Sequence, residues 1–210
     1  MKTILVTDTH TQLGFHVCKL LLNQGFNVIA LPTSAQERGS YDSLKKKPLF
    51  VIPWNRTSSI SVKNVILKSL QRFQSIDAAC VLHAPFLSAN FFQEIKFIEI
   101  EQTLDAWIKG SLFLLRELMY HFTTQRQGIL TLINLFKQTD SNSFLLDDFC
   151  KEGILSIGKS LSKEGKSSNI KINTILSRSA DEKSYAEFIV KTIIEKCYKS
   201  YGKLFYFQWR

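Results

Sequence analysis

Short apolar runs alternate along this chain with longer segments whose apolar residues recur at helical spacing. The first unit is clear: Lys2–Val6 is apolar, Gly14–Asn23 carries a helical period that ends before Gly25, and Asn27–Leu31 is apolar again. Apolar runs of about four to eight residues are typical of buried strands, whereas apolar residues three or four apart are typical of a helix that covers a sheet. The pattern therefore predicts a strand, a helix and a second strand.

The same alternation continues to the end of the chain. Further strands are predicted at Leu49–Ile52, Ala78–His83, Ile129–Asn134, Ile170–Leu176 and Lys203–Trp209. Further helices are predicted at Ser59–Phe73, Thr103–Thr124, Phe144–Glu164 and Ser184–Lys199. Strands that alternate with helices through short connections predict a doubly wound parallel seven-stranded sheet, a Rossmann-like α/β fold with three α/β/α layers. No linker-like segment interrupts the pattern, so residues 1–210 are predicted to form a single domain.

Composition agrees with one substantial core, because the 210 residues are 45% hydrophobic and 21% charged. No apolar run reaches the roughly 18 residues that a membrane span needs, and Asp8 follows the first run too early for a signal peptide. The four cysteines lack Cys-x-x-Cys or Cys/His zinc spacing. We therefore expect a cytoplasmic protein with buried thiols, no metal site and no membrane partner.

The chain has a formal charge of +9, from 27 basic and 18 acidic residues. Apart from Lys45–Lys47, the basic residues are dispersed, and aromatic residues do not interleave with them as a base-stacking surface would require. We therefore expect most of this charge to be solvated surface and a nucleic-acid partner to be absent. An anionic-surface or nucleic-acid binder remains an alternative reading.

Several segments, in this order along nearly the whole chain, resemble the short-chain dehydrogenase/reductase family. They are the turn from Thr7 to Gly14 after the first strand, the helix segment Ala106–Leu115, the run Lys151–Glu164, the strand Ile170–Asn173 and the last segment Lys199–Phe207. The resemblance implies a dinucleotide-binding fold. It also implies positions at which a cofactor and a catalytic set would lie.

In the family, a Thr-Gly-x-x-x-Gly-x-Gly turn binds the cofactor pyrophosphate at a helix N-terminus. Here Thr7 is followed by Asp8, Gln12 and Gly14 at the glycine positions, so only the glycine for helix packing remains. Gln12 would place a long side chain where the phosphates approach. We expect Asp8 to cap the helix and to repel an incoming anion.

The other cofactor positions that the resemblance implies are also altered. Pro32 follows the second strand, where the family offers an acidic or basic group to the ribose. Trp54 stands where the family has an Asp beside the adenine, and His83 falls in the segment that replaces Asn-Asn-Ala-Gly. Arg38 and Lys45–Lys47 could reach a phosphate but are expected in a solvated loop. We therefore expect no cofactor.

The resemblance also places the catalytic set. Lys151 is kept, but Asp147 stands in place of the Tyr of Tyr-x-x-x-Lys, Asn134 in place of the Ser and Trp107 in place of the Asn. An Asp, with an ordinary pKa of about 3.9, is ionised at neutral pH and donates a proton poorly. We expect Asp147 and Lys151 to form an ion pair along their helix instead. Tyr185 is a minor candidate for a replacement phenol.

Two histidines, His10 and His83, could lie near the same crevice, but neither has a partner at a recognisable catalytic spacing. We expect His10 on an exposed loop and His83 at a strand end. The leading hypothesis is thus a catalytically impaired member, a pseudoenzyme with a binding or assembly role. The alternative is an NAD(P)-dependent oxidoreductase of a small carbonyl or alcohol, with Lys151 and either Asn134 or Tyr185 in a rearranged site.

The segment Leu112–Met119 is apolar around most of its helical circumference, so it can face both the sheet and a second surface. This pattern favours a homodimer or homotetramer formed through the helices near 103–124 and 144–164. A different, unknown protein partner is also open.

Overall fold

The computed structural model describes residues 1–33, 41, 44, 48–83, 92–135, 145–177 and 181–207, except for the side chain of Asp147. Seven parallel strands form one sheet in the order β3-β2-β1-β4-β5-β6-β7. They are β1 Thr3–Thr7, β2 Asn27–Leu31, β3 Leu49–Val51, β4 Ala78–His83, β5 Gly128–Leu135, β6 Ile170–Ser177 and β7 Leu204–Phe207. The predicted doubly wound parallel sheet is confirmed. The predicted positions of Arg38 and Lys45–Lys47 fall outside the described residues.

Helices connect the strands and cover both faces of the sheet. They are α1 Gln12–Asn23, α2 Ser59–Phe73, α3 Phe97–Thr103, α4 Gly110–Thr124, α5 Leu145–Ser167 and α6 Glu182–Thr192. A short 3-10 helix covers Phe92–Glu94, and π-helical segments cover Leu104–Lys109 and Ile193–Cys197. In the described part of the chain, no helix combines the length and the apolar character needed to cross a membrane.

The predicted helix Thr103–Thr124 differs from the observed one in length and regularity. It begins at Phe97, and its backbone continues in helical conformation through the π-helical segment Leu104–Lys109 into α4. A π segment inserts an extra residue into the hydrogen-bond ladder, which the apolar period of the sequence does not reveal. The segment changes which side of the helix faces the sheet, and it contains Trp107.

Two apolar cores separate the layers. On one face, α1 and α6 pack against inward side chains of the strands, among them Ile4, Val6 and Ile133. On the other face, α2, α4 and α5 pack against Leu5 and Leu130 with their neighbours. This arrangement follows from parallel strands whose side chains alternate between two buried faces.

The strand order reverses beside β1, because β2 lies on one side of it and β4 on the other. In doubly wound sheets, the crevice for ligands opens at the carboxyl ends of the strands at this point of reversal. Here it is bordered by Thr7 at the end of β1 and His83 at the end of β4.

Tyr185 has a structural position rather than a catalytic one. Its ring is fully buried, and its hydroxyl lies 2.9 Å from the carbonyl oxygen of Asn134 and 3.1 Å from that of Ile175, so it donates to the backbone of β5 and β6. Burial raises the pKa of this phenol well above 10. The prediction of Tyr185 as a replacement phenol was wrong, because sequence spacing does not show that α6 turns this side chain into the core.

Candidate active site

The turn between β1 and α1 has the backbone conformation of a glycine-rich turn, although Asp8 stands at one of its glycine positions. Asp8 has a φ of 52°, a left-handed conformation that glycine adopts freely and that Asp tolerates better than most residues. Thr11 is the N-cap of α1 and accepts from the Gly14 N–H at 3.1 Å. The prediction that Asp8 caps the helix was therefore wrong. The Thr11 hydroxyl itself donates to the Asp8 carbonyl oxygen at 2.7 Å.

Close packing explains why Gly14 remains in this turn. A Cβ on Gly14 would lie 2.3 Å from the carbonyl oxygen of Asp8, which is closer than real atoms approach. The first turn of α1 therefore packs directly against the backbone that follows β1. Gln12, at the start of the same helix, is exposed, so its side chain borders the turn and does not fill it.

The buried carboxylate of Asp8 forms an ion pair with the guanidinium of Arg56, which follows β3. The two side chains are only 3% and 10% exposed. The Thr7 hydroxyl donates to the same carboxylate at 3.1 Å and accepts from the Leu82 N–H at 2.9 Å. The pair is thus fixed to the ends of both β1 and β4, at the reversal point of the sheet.

Two indole rings lie against Arg56. Its guanidinium carbon is 4.5 Å from the ring centre of Trp107 and 5.5 Å from that of Trp54, distances typical of cation–π contacts. A Cβ on Gly110 would lie 2.8 Å from the Arg56 Cβ, so the start of α4 also needs a small residue here. Burial lowers the pKa of the Arg56 guanidinium to about 10, which leaves it protonated at neutral pH.

Further aromatic groups pack around the turn and beside Pro32, which follows β2. Tyr41 is buried, packs on Phe15 with ring centres 5.7 Å apart, and donates its hydroxyl to the carbonyl oxygen of Thr9. Trp54 is buried beside Pro32, whose carbonyl oxygen accepts from the backbone N–H of Trp54 at 3.1 Å. The side chains of this protein therefore occupy the surroundings of the turn on more than one side.

The ends of β4 and β5 bring His83 and Asn134 side by side, as directly paired residues of the sheet. Both are almost fully buried, and neither side chain has a hydrogen-bond partner among the described residues. His83 also lies next to Trp107, with ring centres 6.4 Å apart. Burial, and secondarily the charge of Arg56, lowers the pKa of His83 to about 3, so its imidazole is neutral at physiological pH.

Lys151 lies on α5, partly buried, with its Nζ 3.3 Å from a carboxylate oxygen of Asp148, which is three residues earlier. The predicted partner, the side chain of Asp147, lies outside the described residues. The π segment packs on α5 near this lysine, because a Cβ on Gly153 would lie 3.3 Å from Ile108. His10 is exposed, as expected for a loop histidine.

The structure thus brings Thr7, Asp8, Trp54, Trp107 and His83 around one group that sequence analysis missed. That group is Arg56. Tyr41 is a second residue of the site that sequence analysis did not identify. The feature of the sequence that points to Arg56 is Asp8 at a glycine position of the turn, since a buried carboxylate requires a cation or several hydrogen-bond donors nearby. Within the described residues, no cluster of three or more His, Cys, Asp or Glu side chains could hold a metal ion.

A family model for short chain dehydrogenases matches residues 2–181. The chain belongs to the short-chain dehydrogenase family. Solved structures with the same fold include a candidate 3-oxoacyl-reductase from Bacillus thuringiensis, at 15% identity and a TM-score of 0.84, with 98% of this chain and 96% of that chain covered. They also include the 3-ketoacyl-(acyl-carrier-protein) reductase from Brucella melitensis complexed with NADH, at 12% identity, a TM-score of 0.87 and the same coverage. No curated protein matches the chain by sequence.

Because Asp8 and Arg56 are buried together, removing one partner should cost far more than removing both. Arg56→Met should lower the free energy of unfolding by about 3–5 kcal/mol, and Asp8→Asn/Arg56→Met should cost clearly less than the sum of its single changes. Urea unfolding of the four proteins measures the coupling. The control is the exposed pair Asp105 and Lys109, 3.1 Å apart on one helix, where the coupling should stay near about 0.3–0.5 kcal/mol. Equal coupling in both cycles would contradict the buried ion pair.

The neutral buried imidazole of His83 should make the protein sensitive to acid. The unfolded chain takes up a proton below about pH 6.5, whereas folded His83 stays neutral down to about pH 3, so stability should fall as the pH falls through this window. His83→Gln should flatten that slope by up to about 1.4 kcal/mol per pH unit. The measurement is urea unfolding between neutral and mildly acidic pH. The exposed His10→Gln is the control, and an unchanged slope in His83→Gln would contradict the assignment.

Proposed function

We propose that this member of the short-chain dehydrogenase family has a binding or assembly role and does not catalyse NAD(P)-dependent reactions. The observation that carries the proposal is the buried Asp8–Arg56 ion pair in the turn where family members hold the cofactor pyrophosphate. The negative charge of Asp8 and the positive charge of Arg56 neutralise each other within the turn. The Arg56 guanidinium is therefore already paired with a carboxylate, although its Nε has no partner among the described residues.

The residues at this turn do not fit a dinucleotide held in the manner of the family. A phosphate that approached the N-terminus of α1 would meet the Asp8 carboxylate, and Arg56 could bind that phosphate only after leaving Asp8. Breaking a buried ion pair costs about 3–5 kcal/mol, which corresponds to a loss of about two to four decades in affinity. Trp54 and Tyr41 add steric cover beside the turn. These contacts support the expectation that no cofactor binds.

The decisive experiment is a titration of the purified protein with NADH and NADPH. We expect no quenching of tryptophan fluorescence and no thermal shift up to millimolar concentration, because the ion pair and the indoles occupy the approach to the turn. An NADH-binding reductase of the same family, measured in parallel, is the positive control. Saturable binding at micromolar concentration would contradict the proposal.

A second candidate function is an NAD(P)-dependent oxidoreductase acting on a small carbonyl or alcohol. It is favoured by His83 and Asn134, because two buried, unpartnered polar side chains at neighbouring strand ends could contact a carbonyl oxygen. Lys151 would support that site from α5. If the cofactor titration is positive, a panel of carbonyl substrates decides between the two functions: turnover that is lost in Asn134→Ala and Lys151→Ala would establish this candidate.

For assembly, we propose a homodimer or homotetramer through α4 and α5, with an unknown protein as the other candidate partner. Large apolar side chains are exposed on both helices: Leu112 and Tyr120 on α4, and Leu145 and Phe149 on α5. Large apolar side chains that are exposed on the helices of a domain favour a protein interface there.

If this interface exists, Leu112→Glu/Tyr120→Glu should convert the oligomer into a monomer, because each change buries an unpaired carboxylate in the contact. Analytical ultracentrifugation measures the change. The control is Ile194→Glu, at a similarly apolar position beyond α6 on the other side of the sheet. A wild-type protein that sediments as a monomer would contradict the proposed interface.

We also propose a cytoplasmic location. Its support is that Cys18, Cys80, Cys150 and Cys197 are all buried and none forms a disulfide, as is usual in a reducing compartment. Fractionation of cells that express the tagged chain tests it, and recovery from an oxidising compartment would contradict it.

A further inference from the structure

Helix α2 has an outer side that its own fold does not cover. Val62, Val65 and Ile66 turn inward and pack in the apolar core between the sheet and helices α2, α4 and α5. Ile60 and Leu67 turn outward, 70% and 57% exposed. They are seven residues apart, so they lie on the same side of the helix, two turns from each other.

Basic residues flank these two apolar side chains. By helical geometry, Lys63 lies on one side of the Ile60–Leu67 line and Lys68 on the other, whereas Arg72 lies farther round the helix, close to the buried side. All three are exposed, and the sequence of α2 contains no Asp or Glu. Within the described part of the chain, neither Lys63 nor Lys68 forms an ion pair. The outer side of α2 therefore carries two apolar side chains and the uncharged polar residues Asn64 and Gln71, between Lys63 on one margin and Lys68 on the other.

We propose that this outer side of α2 binds the surface of an anionic phospholipid membrane. Ile60 and Leu67 would enter the boundary between headgroups and acyl chains, while the long stems of Lys63 and Lys68 would carry their ammonium groups to lipid phosphates. Charge complementarity extends to the whole chain, whose formal charge is +9. This binding is peripheral, on the plane of the membrane.

The shape of the surface favours a membrane over an acidic protein. Ile60 and Leu67 stand exposed on the convex surface of a single helix, whereas a partner helix is usually bound in a groove. Basic groups on both margins of an apolar strip are the arrangement of helices that lie in a membrane interface. The inference departs from the expectation of no membrane partner, because that expectation rested on the absence of a long apolar run and not on the exposed side of one helix.

The test is co-sedimentation of the full chain with vesicles of phosphatidylcholine alone and with equimolar phosphatidylcholine and phosphatidylserine. We expect binding to the second kind only, and weaker binding at raised salt. Lys63→Glu/Lys68→Glu should lower the partition coefficient by at least about tenfold, since each basic residue near an anionic surface contributes a several-fold effect. Ile60→Ser/Leu67→Ser should also lower it, with the charge unchanged.

The matched control is Lys19→Glu/Lys191→Glu, which makes the same change in net charge at exposed positions on the opposite side of the sheet. It should retain most of the binding. Three results would overturn the proposal: no binding to phosphatidylserine vesicles, an equal loss in the control, or full binding by Lys63→Glu/Lys68→Glu. Failure on vesicles together with α2-dependent binding to polyglutamate would assign the surface to an acidic protein instead.

Discussion

The ion pair between Asp8 and Arg56 is the constraint on which the crevice depends. A carboxylate buried at the end of β1 is tolerable only beside a cation, and a guanidinium buried after β3 is tolerable only beside an anion. Each residue therefore requires the other, although they are 48 positions apart in the chain. The surrounding groups follow from this pair: Thr7 fixes the carboxylate, Trp107 lies on the guanidinium, and Gly110 leaves room for the chain that carries it.

The turn shows that backbone shape and binding chemistry can be separated within one fold. The left-handed conformation at Asp8 is the one that a glycine would supply, and the packing of Gly14 against that residue is retained. Both features are needed for α1 to follow β1 at a close distance, so they belong to the fold. The carboxylate changes the chemistry of the turn, because its charge is paired with Arg56 and bonded by Thr7, while Thr11 caps α1.

The fold was predictable because it depends on apolar periodicity, which each segment carries by itself. The catalytic and cofactor positions were located through the family resemblance, and several of them do meet in the structure. Arg56 and Tyr41 were not found, because each acts on the turn from a segment distant in sequence, and no local pattern marks a contact of this kind. The same limitation explains the errors at Asp8 and Tyr185: the spacing identified polar groups near the crevice but not the partners to which their side chains turn.

The two sides of the crevice carry different polar groups. At the β1 side, Asp8 and Arg56 are paired, but the Arg56 Nε, the Trp54 indole N–H and the Thr9 hydroxyl have no partner among the described residues. At the ends of β4 and β5, the side chains of His83 and Asn134 have no partner among them either. Buried polar atoms without partners are costly, so these are the groups of the crevice that a bound polar molecule could satisfy. A neutral imidazole beside the positive charge of Arg56 disfavours a cation there. The ion pair at the β1 side therefore does not determine what the ends of β4 and β5 bind.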